Sequence, residues 1–207
     1  TSSLHILQIF SITMCLFVAV LIFIWAFSEP NEKLHLGHQL RNNLYYILLF
    51  VQVIFLVFCR CQSEAMSEGF NFIHKAALIV NMTFILCWAA SLSSVDQLLH
   101  GDIIIYMMAC YAAAVAMRFS PLQYFASYAI SLTVFILGVS YFQTNTERLV
   151  AHFVNGTISV LVAYVIAIVF YHMRVRDFVS RKTIEQQKNE MEQRVIERTA
   201  DLAAANK

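Results

Sequence analysis

The sequence predicts an all-α polytopic membrane protein: a bundle of six transmembrane helices continued into a C-terminal coiled-coil helix. Three observations lead there. First, 59% of the 207 residues are hydrophobic and 13% are charged, against about 45–50% and about 25% in soluble domains. A soluble fold of this size has too little interior for that much apolar surface. Second, six apolar runs each approach or exceed the ~20 residues that a helical crossing requires. Third, the composition changes sharply after Tyr171. Residues 174–207 contain no Gly and no Pro and are dense in Glu, Gln, Lys, Arg and Ala, all strong helix formers.

The same numbers exclude whole classes. A soluble enzyme, a disordered chain and a disulfide scaffold do not fit them. With 14 basic and 13 acidic residues there is no global field to attract nucleic acid. Only 5 Gly and 2 Pro count against a transporter, whose site usually needs broken helices.

The spans run as follows. The first, 6–27, is long, has no basic residue before it and shows no small-residue cleavage pattern after it, so it reads as a span and not a secretory signal. The second, 44–59, is short but extendable through Asn42 and Asn43. The third is 72–92, the fourth 103–119, the fifth 122–142 and the sixth 149–171. None shows the period-2 alternation of a membrane barrel. The connections 28–43, 60–71, 93–102 and 143–148 are short, and the fourth and fifth spans meet at Ser120–Pro121. With no large loop on either face, a ligand site must lie in the bundle itself. Cys15, Cys87 and Cys110 fall inside apolar runs and read as small hydrophobes.

Basic residues orient the bundle. Arg60, Lys75, Arg118, Arg174, Arg176, Arg181 and Lys182 collect on one face, and Lys33, Arg41 and Arg148 on the other. The richer face is expected to be cytoplasmic. Six spans then put both termini in the cytoplasm. The chain divides into a membrane domain, 1–173, and a cytoplasmic helix, 174–207.

That helix carries a heptad register. Ile184, Lys188, Met191, Val195, Arg198, Leu202 and Ala205 follow one another at spacings of 4 and 3, the seam of a coiled coil. So few apolar residues on a long polar helix call for a partner. A parallel homodimer supplies one, because each last span delivers its helix at the same height. Lys188 and Arg198 weaken the seam, which suits a helix that shifts between packings.

The final stretch, EQRVIERTADLAAANK, resembles the linker that precedes the output domain of bacterial sensor histidine kinases and diguanylate cyclases. Glu192, Arg194, Val195, Glu197, Arg198, Thr199, Ala200, Leu202, Ala205 and Asn206 carry the likeness. The resemblance covers about a tenth of the chain. It implies the input half of a membrane sensor in the bacterial inner membrane, passing a signal through the last span to a catalytic domain. A two-component histidine kinase is the first expectation for that domain, and a cyclic di-GMP synthase the alternative. Neither a phosphoacceptor motif nor a GGDEF-type signature occurs within the 207 residues, so no catalytic residue is expected here.

Polar residues in and near the spans are the candidates for a ligand site, because such groups are costly in lipid. They are Asn81, Asp102, Tyr106, Tyr111, Tyr128, His152 and Asn155. Asp102 opens the fourth span and also suits a helix N-terminus. Asn81 and Asn155 serve equally as interhelical hydrogen-bonding groups. His152 and Asn155, three apart, share a helix face. A cavity rich in aromatic residues would take a small, amphipathic or lipid-like ligand from the outer leaflet. On the outer side His35 and His38 are three apart. With His100 they form a possible metal centre for zinc or copper. The same histidines suit a pH sensor.

Overall fold

The computed structural model describes residues 35–65 and 72–205, together with the helical positions Ile12, Leu16 and Val20. The rest of the first expected span, 6–27, lies outside the described residues. Five α-helices follow in order: α1 (His35–Ala65), α2 (Phe72–Val95), α3 (Ile104–Ala116), α4 (Pro121–Phe142) and α5 (Thr146–Ala205). A 3-10 turn, Asp96–Leu98, closes α2. There is no strand among the described residues.

Among the described residues four helices are long and apolar enough to cross a membrane: Leu36–Phe58, Lys75–Leu98, Pro121–Phe142 and Thr146–Ile196. In α1 the residues facing away from the bundle (Tyr46, Ile47, Phe50, Val53, Ile54 and Val57) are as apolar as those facing in. An outward face this apolar is the composition of a membrane-type helix.

Two expectations need correction. The segment 28–43 is not a connection throughout, since α1 already begins at His35. Its polar start, including Arg41, is tolerated because Arg41 finds partners inside the bundle. The fourth span is shorter than 103–119. It has 13 helical residues, about 20 Å at 1.5 Å per residue, against a hydrocarbon core of about 30 Å. The cause lies just downstream: Pro121 disfavours helical geometry at Ser120, whose ψ is 156°. Met117 is already extended, with ψ of 158°. Ser120 then starts α4, its N–H donating to Gln123 Oε1 at 2.9 Å, half of a capping box.

The helices alternate in direction. The Asp96 end of the bundle gathers the start of α1, the end of α2, the end of α4 and the start of α5. The Arg174 end gathers the end of α3 and the start of α4 beside the middle of α5. α2 is the central helix and packs against α1, α3 and α4, while α5 packs against α3 and α4. Ala89, Ala90, Ser93 and Ser94 are all buried on α2, small residues that let helices approach closely. α2 and α4 approach closely where a Cβ added to Gly138 would overlap the Ser94 side chain. The turn after α2 depends on Gly101 at φ 78°, a conformation other residues rarely adopt. There the Asp96 carbonyl accepts the N–H groups of Leu99, His100 and Gly101.

α5 is one 60-residue helix. Asn145 caps its start, with Oδ1 accepting the N–H groups of Glu147 and Arg148. The helix passes Tyr171 without interruption. From Val175 to Ile196 every described side chain is exposed.

Candidate functional site

The Asp96 end holds a buried charge cluster built from two helices. Arg41 of α1 is 4% exposed and Asp96 is 7% exposed. Their closest approach, Nη1 to Oδ1, is 3.9 Å. Arg41 also donates Nη2 to His38 Nδ1 at 2.7 Å, one turn earlier on the same helix face. Above this cluster Trp88 of α2 donates Nε1 to the Leu44 carbonyl of α1 at 2.8 Å, and its ring lies 5.9 Å from that of Tyr45. The next neighbours extend the network across the end of the bundle. Gln143 donates Nε2 to Gln97 Oε1 at 2.8 Å, tying α4 to the turn after α2.

Beside this cluster a groove of about 290 Å³ opens on the flank of the bundle. α1 contributes Leu40, Asn43, Leu44 and Ile47. Ser91, Ser94 and Val95 come from α2, and Val134, Gly138 and Phe142 from α4. Its walls are almost wholly apolar. Ser91 and Ser94 return their hydroxyls to the carbonyls of Cys87 and Ala90, which hides their polarity. Gly138 forms the floor by leaving out a side chain. What such a groove can hold is an apolar chain or ring entering from the side, with Asn43 as the polar group at its rim.

Deeper in the bundle, polar side chains are paired with one another. Gln52 of α1 donates Nε2 to Asn81 Oδ1 of α2 at 3.1 Å. Thr83 and Ser127 join α2 to α4 at 2.8 Å. The Tyr106 hydroxyl meets Ser131 Oγ at 3.2 Å, with its ring stacked on Phe135 at 4.5 Å. Tyr128 donates to the Cys110 carbonyl at 2.8 Å. A buried polar group without such a partner is costly, so these pairs fix how the helices face one another.

The expected site residues therefore separate. Asn81, Tyr106 and Tyr128 are buried and engaged in interhelical bonds. Tyr111 is half-buried against the core. His152 is half-buried, and its Nε2 is enclosed without a hydrogen-bond partner among the described residues. Asp102 and His100 are exposed. Asn155 is exposed on the outward face of α5 and does not line the groove. His38 serves Arg41, and the side chain of His35 lies outside the described residues. Among the described residues no group of three or more His, Cys, Asp or Glu is gathered to hold a metal ion.

Sequence reasoning missed Arg41 as an interior residue, as well as Gln52 and the groove. Gln52 had a usable signal, being one polar amide inside an apolar run. The groove had none, because a gap between three helices is not encoded in any one of them.

At the opposite end, Arg174 of α5 reaches the end of α3. It donates to the carbonyls of Met117 and Val115, the latter at 3.2 Å. Both are among the carbonyls that a helix C-terminus leaves open, and a cation there also opposes the helix dipole. Tyr124 donates its hydroxyl to the same Met117 carbonyl at 2.6 Å. The point where α5 leaves the bundle is therefore tied to the α3–α4 junction.

No known protein family, curated protein or solved structure matches the chain. Fold and site together define an all-helical protein with membrane-type helices, a lateral apolar groove and one helix extending far beyond the bundle.

Proposed function

We propose that the chain is the input module of a bacterial membrane sensor, and that its output is a histidine kinase. One observation carries this reading. α5 is continuous from the packed bundle through about 30 further residues, and those residues hold the heptad seam and the linker-like stretch. A rigid helix rooted in a bundle can carry a rotation or a slide to whatever follows it.

In this reading six spans lie in the inner membrane, with both termini cytoplasmic and the Asp96 end outward. A lipid-like or amphipathic signal enters the groove from the outer leaflet. It acts only through its different affinity for two bundle arrangements. The route to α5 is short. Val134 and Gly138 of the groove flank Phe135, whose ring lies against Gly156 of α5. A shift of α4 therefore moves the helix that leaves the membrane. A diguanylate cyclase output would use the same mechanics.

The test fuses the chain to a kinase catalytic core and inserts one residue at Lys182. The insertion turns everything downstream by about 100°. Autophosphorylation should change markedly while the bundle keeps its thermal stability. Unchanged autophosphorylation would refute rigid-helix transmission. Replacing Val134 by Trp to fill the groove should lock the output in one state. An output that still responds normally would remove the groove from the mechanism.

A further inference from the structure

We infer that the face of α5 carrying Asn155 is the membrane portion of a homodimer interface, in which Asn155 hydrogen-bonds its counterpart in a second copy across a two-fold axis. The inference rests on the dimeric reading of the cytoplasmic helix and extends it into the membrane.

The argument begins with a polar group in the wrong place. Asn155 lies in the apolar stretch 149–171 yet is exposed on the outward side of α5. Its side chain has no hydrogen-bond partner among the described residues, whereas Asn81, also deep within an apolar stretch, is paired with Gln52. Facing lipid, an amide has nothing to bond. A second amide is the simplest complement, and an asparagine pair on a two-fold axis is self-complementary.

The phase of the helix identifies the partner. Met191 stands 36 residues beyond Asn155, about ten full turns, so the two share one face of a straight helix. Ile184, Arg198 and Leu202 fall within ~20° of that face at ~100° per residue. The heptad seam and Asn155 were chosen by unrelated criteria, and they coincide. Between them, Val162, Val169 and Met173 lie on or close to the same face and are exposed at 43%, 50% and 47%. The packed side of α5, with Gly156, Val160, Ala163 and Ala167 buried, points about a quarter-turn or more away. Ser159, about 40° from Asn155, is buried and Ile166, about 20° away, is half-buried; they mark the near edge of the packed side, and among the described residues Asn155, Val162, Val169 and Met173 are left open. An interface continuous from Asn155 to Leu202 is isologous, so each copy supplies the same stripe to the other.

Cysteine cross-linking of the full chain in bacterial membranes, with the native cysteines replaced, tests this directly. Asn155→Cys, Val162→Cys, Val169→Cys and Met173→Cys should form intermolecular disulfides. Val154→Cys and Leu161→Cys are exposed too but lie about 100–120° away on the helix, and should stay monomeric. Ile184→Cys and Met191→Cys report the cytoplasmic seam. Cross-linking at those two alone, or mainly at 154 and 161, overturns the membrane interface and leaves the cytoplasmic dimer standing. Silence at every position overturns both. Separately, Asn155→Leu should weaken self-association in detergent roughly three- to tenfold, while Asn155→Gln retains most of it. Equal association of the Leu variant would overturn the asparagine pair, because a leucine on this exposed face leaves the bundle packing intact.

Discussion

The two halves of α5 obey different rules. Within the bundle its inward face is built from small residues, Gly156, Ser159, Ala163 and Ala167, all buried against α3 and α4. Beyond Arg174 the same helix carries Ile184, Met191 and Val195 at 60–68% exposure. The first half packs its inward face within one chain and leaves its Asn155 side exposed. The second has helix-forming residues and apolar positions that nothing among the described residues covers. A helix this exposed gains little from burial, and most helical stability comes from packing. The contrast assigns packing stability to the bundle and leaves the extended helix exposed.

Substitutions can break or sharpen that contrast. The largest effect should come from Asp96→Ala, which leaves the buried Arg41 without its acidic partner. A loss of about 3 kcal/mol is expected, read as a large fall in the thermal midpoint in detergent. An unchanged midpoint would show that His38 and solvent suffice for Arg41. Gly156→Val comes next. Its side chain must displace the Phe135 ring, and overpacking of this kind costs about 2 kcal/mol. The same substitution should disturb signalling if α4 drives α5, and the two readouts can be compared in one preparation. Tyr128→Phe removes the bond to the Cys110 carbonyl and should cost about 1 kcal/mol with helicity by circular dichroism unchanged. The smallest effect belongs to the exposed half. Lys188 and Glu192 are 3.7 Å apart at i and i+4, a pair worth about 0.3 kcal/mol. Lys188→Ala should leave the bundle midpoint where it was. A fall of several degrees would mean that the extended helix contributes to bundle stability after all.

Much of this architecture was legible in advance, for reasons that can be named. The third and fifth spans expected from the sequence agree with α2 and α4 to within a few residues, because long apolar runs have no other stable form in lipid. The unbroken passage from bundle to extended helix could be read from the lack of Gly and Pro after Tyr171. The fourth span misled because its apolar run continues past the point where Pro121 stops the helix. Arg41 misled for the opposite reason: a charged residue beside two asparagines resembles a loop. Its acidic partner lies 55 residues away in the chain, and local pattern contains no trace of that pairing. Tyr106 and Tyr128 stood out in the sequence as polar groups on apolar runs and were expected as ligand contacts. Their partners, Ser131 and the Cys110 carbonyl, became visible only with the helices packed.

The sequence by itself determined that the chain is helical, that its helices are of membrane type and that its last segment is a polar helix with an apolar stripe. Those properties depend on composition and on periods of three to four residues, which neighbouring positions carry. Tertiary structure alone decided that Arg41 is an interior residue, that Gly138 opens a groove against Ser94 and that Asn155 faces outward. Each of these depends on which helix lies against which, and at what rotation. Burial of a residue on one helix is set by side chains on another.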